Sequence, residues 1–127
     1  DPTIPENKLI LEKTVAKAFR APLIIAVAVE PSDKPKVVPV EEVSAVSAAV
    51  QNILLAAHGL GLGAIWRTGA PCHHPKMQQL FGLTGDAQVL GFIYIGYPDM
   101  TKGKSPRAPM EAKTVWVNTD MDYGKQR

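Results

Sequence analysis

Apolar positions divide this chain into a few clear segments. Residues 3–19 carry Leu9, Leu11, Val15, Ala16 and Phe19 on one broken apolar face. Thr3 can cap this segment, Pro5 suits its first turn and Glu6 suits the positive end of the dipole, so a helix is expected. Residues 21–29, APLIIAVAV, are continuously apolar and stop at Glu30-Pro31. A short apolar run between breakers predicts a strand buried on both faces. Residues 40–59 repeat Val40, Val43, Val46, Val50, Ile53, Leu54 and Ala57 at helical spacing, with Ala and Ser on the remaining faces. A helix apolar or small all round is buried. One small domain can hardly cover such a helix on every side, so an oligomer interface is expected, and Val46→Asp is expected to break it. Gly59 suits a left-handed cap.

Shorter elements follow. Residues 63–68 read as a strand and residues 75–81 as a short helix with Pro near its start and Gly82 past its end. Residues 88–97, QVLGFIYIGY, are a second long strand, and residues 113–118 a β-type tail. Helix and strand alternate, which places the chain in a mixed α and β class.

The chain has 127 residues, enough for one domain and not two. Its 14 basic and 12 acidic residues leave a net charge of +2. That balance, with the basic residues scattered, gives no reason to expect nucleic acid. Cys72 is the single cysteine, so no intrachain disulfide framework exists and a reducing cytoplasm is expected. The longest uninterrupted apolar run spans nine residues, 21–29, against the ~18 of a membrane span, and no signal-peptide pattern is visible. No membrane partner is expected.

Candidate chemistry narrows to one place. Gly59-Leu60-Gly61-Leu62-Gly63 resembles a dinucleotide loop, but that loop needs a strand before it and a helix after it, and here the order is reversed. A glycine-rich helix stop is the better reading. Cys72-His73-His74 are sequence neighbours that point apart, poorly spaced for zinc or for a nucleophile pair, and they read better as a loop capping the helix at Pro75. Glu41 and Glu42 open the long helix, where the dipole favours acids. No catalytic acid, base or triad stands out.

Trp66-Arg67-Thr68-Gly69 is different. A Trp here is either core or ligand wall. Arg67 beside it offers a rigid fork of donors for carbonyl or phosphate oxygens. The backbone N–H groups of Thr68 and Gly69 fall where no sheet is expected to pair them. On the residues alone, a ligand role and a structural role are equally open.

Several segments in order carry a resemblance: Phe19-Arg20-Ala21-Pro22-Leu23-Ile24-Ile25, the Ala/Ser-rich helix, Gly63-Ala64-Ile65-Trp66-Arg67-Thr68-Gly69-Ala70, Leu80-Phe81-Gly82, and the run from Val89 to Pro98. The chain resembles the FMN-dependent nitroreductase family, in particular its short bacterial NAD(P)H nitroreductases. The resemblance implies an α+β fold, a central mainly antiparallel sheet wrapped by helices, and an intertwined homodimer with FMN at the interface. It implies an FMN oxidoreductase that takes reducing equivalents from NADH or NADPH and reduces a nitroaromatic, quinone or similar small-molecule acceptor. Trp66, Arg67, Thr68 and Gly69 match the strand end that lies against the flavin, with the N–H groups of Thr68 and Gly69 toward its N5 and O4 edge. Arg107, with Lys104 second, matches the basic residues that hold the FMN phosphate. Residues 56–61 match the border of the nicotinamide site. Family members open with an Arg-Arg-Ser-type motif for the FMN phosphate and a Pro-rich segment beside the ring, and neither precedes Asp1. Residues 1–127 are therefore expected to be a single, N-terminally truncated domain. The alternative expectation is a non-catalytic homodimeric domain that binds flavin weakly or not at all.

Overall fold

The computed structural model describes residues 5–100, 103 and 105–116. Its elements in chain order are α1 (Pro5–Lys17), β1 (Leu23–Val29), α2 (Pro39–Gly59), β2 (Gly63–Arg67), α3 (Pro75–Leu80) and β3 (Gln88–Gly96), with short 3-10 turns at Ala70–His73 and Met110–Ala112. The fold is α+β. The three strands form one antiparallel sheet in the order β1-β3-β2.

β3 is central because its two neighbours bond to both of its edges, and its alternate residues are buried. β1 is an edge strand whose pattern of burial is mixed, with Leu23 half exposed. The expectation of burial on both faces is corrected here: an unbroken apolar run is also compatible with an edge strand when one face of the sheet is left largely uncovered. Ile25 lies opposite Ile93, and Trp66 lies opposite Ile93 on the other side. Paired residues share a face, so Ile25, Val27, Ala64, Trp66, Ile93 and Ile95 point to one side. Ile24, Ile65, Arg67, Phe92 and Tyr94 point to the other. A register shift at Val27/Ala28 leaves Leu90 as a bulge.

α2 covers the first side. Val50, Ile93 and Ile95 form the buried centre, packed by Ile53, Leu54, Leu62 and Trp66. Glu42, in the first turn, accepts a 2.6 Å hydrogen bond from the Ser32 backbone N–H and ties down the preceding loop. The helix ends in a Schellman motif: Leu62 N–H donates to the Ala57 carbonyl and Gly61 N–H to that of His58. Gly61 takes the left-handed conformation (φ +75°), not the expected Gly59. By length and composition α2 is apolar enough to cross a bilayer; core helices of soluble proteins also meet that description but are mostly buried, whereas 11% of the apolar window of α2 is buried here. One side of α2 rests on the sheet, while Val40, Ala45, Ala48, Ala49, Leu55 and Ala56 are exposed.

α1 leaves Leu9, Ile10, Leu11 and Val15 more than half exposed. α3 is held to the start of β3 by the Gln78 side-chain amide, which donates to the Ala87 carbonyl at 2.9 Å. Phe81 meets Phe92 at 6.4 Å between ring centroids. The strand expected at 113–118 is not formed at 113–116, which follow the 3-10 turn; residues 117 and 118 lie outside the described residues.

Candidate functional site at the end of the second strand

β2 stops where its partner turns away. Arg67 opposite Phe92 is the last pair of the β2–β3 ladder. Thr68 follows, then Gly69 at φ +127°, ψ −173°, and the chain turns into Ala70–His73. The Gly69 carbonyl accepts from Cys72 N–H at 2.9 Å. The backbone N–H groups of Thr68 and Gly69 donate to no partner among the described residues. A Cβ on Gly69 would meet nothing nearer than Pro71 Cδ at 3.9 Å, so the space beside these donors is open.

Alternation along β2 separates the two residues that the sequence set side by side. Trp66 packs on the α2 side against the buried centre. Its indole N–H is buried and has no hydrogen-bond partner among the described residues. Arg67 is exposed on the opposite side. The structure therefore brings Arg67, Thr68 and Gly69 together and leaves Trp66 behind the sheet. Arg107 lies on the exposed loop at 105–109 and is not among the residues that line the cavities reaching Arg67; Lys104 lies outside the described residues. Residues 56–61 lead into the start of β2, and a strand rise of ~3.3 Å per residue puts that end ~13 Å from Arg67.

Two cavities meet at Arg67 on the face away from α2. The larger, about 520 Å³, runs along β2 between Lys17, Arg20, Pro22, Gly63, Arg67, Tyr94, Tyr97 and Asp99. The smaller, about 370 Å³, lies under α3 and includes Thr68, Cys72, Met77, Phe81 and Phe92. Lys17, Arg67 and Tyr94 line both. Sequence reasoning did not single out Lys17, Arg20, Tyr94 or Tyr97. The period of two in β3 was the available signal for Tyr94, since it must face away from Ile93 and Ile95. Nothing local marks Lys17, at the end of α1, or Arg20, in the turn before β1.

Cys72 is 3% exposed, and burial pushes its thiol above the ordinary cysteine range, with backbone hydrogen bonds at Cys72 and Gly69 opposing the shift. His74 caps α3, its Nδ1 accepting from Lys76 N–H at 3.2 Å. The loop at 72–74 thus has the capping role expected of it.

Comparisons with known proteins agree with this architecture. The model of the Nitroreductase family matches residues 4–97. The Escherichia coli K12 protein described as "Putative NAD(P)H nitroreductase YdjA" is 34% identical over 102 residues, covering 77% of this chain and 56% of its own length. The chain thus spans little more than half the length of that relative. The Vibrio harveyi NADPH-flavin oxidoreductase is 36% identical over 59 residues, covering 46% of this chain and 25% of its own. A crystal structure of a nitroreductase-like family protein from Bacillus cereus superposes with a TM-score of 0.76 at 26% identity, covering 91% of this chain and 62% of that one. On the extent of the family match and this shared fold, the chain belongs to the nitroreductase family.

Proposed function

We propose that this chain is the larger part of an FMN-dependent NAD(P)H oxidoreductase that reduces nitroaromatic, quinone or similar small acceptors. The observation that carries the reading is the pair of unbonded backbone donors at Thr68 and Gly69, beside Arg67 and open space. These residues fit the polar edge of a flavin. A fixed donor at that edge stabilises negative charge as it develops, and it needs no reorganisation to do so. FMN, when bound, supplies electron transfer from NADH or NADPH to the acceptor, which accounts for a site without an obvious acid–base pair. Arg67 adds a permanent positive charge next to the donors. Gly69 keeps the approach free of a side chain.

The exposed Ala-rich side of α2 supports a homodimer, since small residues let two such helices approach closely and bury apolar surface. The unpaired cysteine and the oxidoreductase relatives support a cytoplasmic protein.

A second reading has its own observation. Arg107 does not line the cavities at Arg67, so these lack the phosphate contact expected from it. On that reading the chain is a homodimeric domain that binds flavin weakly or not at all. A visible absorption spectrum of the purified chain, taken before and after adding FMN and desalting, separates the two. A retained flavin band with NAD(P)H oxidation is expected. A colourless dimer after FMN addition would favour the second reading.

A further inference from the structure

Three hydrogen bonds meet at His74. Its backbone N–H donates to the Pro71 carbonyl at 3.3 Å and closes the 3-10 turn. Its carbonyl accepts from Met77 N–H at 2.8 Å and opens α3. Its imidazole Nδ1 accepts from Lys76 N–H at 3.2 Å. The same turn begins where Cys72 N–H donates to the Gly69 carbonyl. His74 therefore joins the turn that follows Thr68 and Gly69 to α3. Met77 and Leu80 of α3, with Phe81 past its end, wall the smaller cavity together with Arg67 and Thr68. A helix of six residues does not hold its shape alone. α3 packs against the 3-10 turn and β3, and its ties are the His74 cap at one end and the bond from Gln78 to the Ala87 carbonyl further along.

An imidazole cap differs from the common ones in its response to pH. Nδ1 accepts a hydrogen bond when the ring is neutral with its proton on Nε2; protonation turns both nitrogens into donors. Histidine is the side chain that ordinarily makes this change between about pH 5 and 8. Charge works in the same direction, since a cation at a helix N-terminus opposes the dipole. The ionisable groups around it are Lys76 in the first turn, His73 and Cys72 on the 3-10 turn, Tyr94 on β3, and Lys17 and Arg67 across the smaller cavity. No carboxylate is among the residues lining the groove that His74 borders, so the imidazolium gains no described counter-ion in place of the lost bond.

We propose that His74 is a pH-sensitive latch: the neutral ring fastens α3 to the turn that carries the Thr68–Gly69 donors, and protonation releases it. Release loosens one wall of the smaller cavity and the turn beside the donors. The consequence for flavin rests on the oxidoreductase reading: FMN is held less well as the pH falls.

Amide hydrogen exchange of the full chain between about pH 8 and pH 5, corrected for the intrinsic pH dependence of exchange, tests the latch. The Lys76 and Phe81 amides are expected to lose about fivefold protection on acidification while the β3 amides keep theirs. His74→Asn, whose amide oxygen caps at every pH, is expected to abolish the pH dependence. His74→Ala is expected to show low protection in α3 throughout, and His73→Asn to behave like the unsubstituted chain. Flat protection of α3 across the range, a pH dependence that survives in His74→Asn, or full protection in His74→Ala would each overturn the proposal. Equal losses in α3 and β3 would also overturn it, because acid would then be unfolding the whole chain. FMN retention is read in parallel and is expected to fall with α3 protection in the unsubstituted chain and not in His74→Asn. A chain that holds no FMN at any pH counts against the oxidoreductase reading, while the α3 amides still decide the latch.

Discussion

Gly91 leaves room for Trp66. A Cβ on residue 91 would collide with the indole nitrogen and stand 2.8 Å from both Trp66 Cδ1 and the Arg67 carbonyl oxygen. The backbone at Gly91 also has φ +151°, which side-chain-bearing residues rarely adopt. One glycine in the central strand thus fixes both the ring behind the sheet and the strand end in front of it.

Gly91→Ala is therefore expected to destabilise the chain by about 2–4 kcal/mol, combining backbone strain with overpacking. Gly85→Ala is the control, because Gly85 also has positive φ but a Cβ there meets nothing within 4 Å; about 1 kcal/mol is expected. Urea unfolding midpoints compare the two. Equal losses would mean that β2 yields freely to the added methyl.

Trp66 and Arg67 should separate in their effects, since they lie on opposite sides of the sheet. Trp66→Phe is expected to cost about 1–2 kcal/mol of stability through lost packing, with FMN affinity unchanged. Arg67→Ala is expected to lower FMN affinity about tenfold at an unchanged melting temperature. Fluorescence titration with FMN and thermal melts give both quantities. Loss of affinity in Trp66→Phe alone would place the ring at the ligand after all.

A charge on the exposed side of α2 tests the homodimer. Ala48 is exposed there, away from the buried Val50. Ala48→Asp is expected to turn a dimer into a monomer in sedimentation velocity, because an interface of small apolar residues leaves a carboxylate unsolvated. A native-like circular dichroism spectrum would show that the fold survives. An unchanged sedimentation coefficient would remove α2 from the interface.

Cys72 provides a pH-dependent signal. Its folded thiol titrates above the unfolded one because burial disfavours the thiolate. The folded state therefore holds the proton more tightly, and the stability tied to it is present below the unfolded pKa of about 8.5. That contribution is lost as pH rises from there through the folded value. Alkylation of Cys72 is expected to be slower than that of free cysteine at pH 8 and to reach the ordinary rate in urea. A native rate equal to the urea rate would show that the thiol is not shielded.

The sequence by itself determined the element order, because each strand and helix is bounded by local chemistry: Pro39 opens α2, Glu30-Pro31 stops β1, and Pro98 follows β3. It also pointed to the end of β2, through Trp66, Arg67, Thr68 and Gly69, of which alternation along the strand leaves Trp66 behind the sheet. The left-handed cap of α2 fell two residues beyond Gly59, at Gly61, because the Schellman bonds from Gly61 and Leu62 decide where the helix stops. The sheet order was decided only in three dimensions. β1 and β2 both pair with β3 across loops whose residues carry no register information, so an apolar run alone could not tell the edge strand β1 from the centre. The same holds for the outer cavity. Lys17 and Arg20 read locally as a helix end and a turn, and only the antiparallel pairing of β1 and β2 with β3 brings that stretch to the cavity that Arg67 also lines.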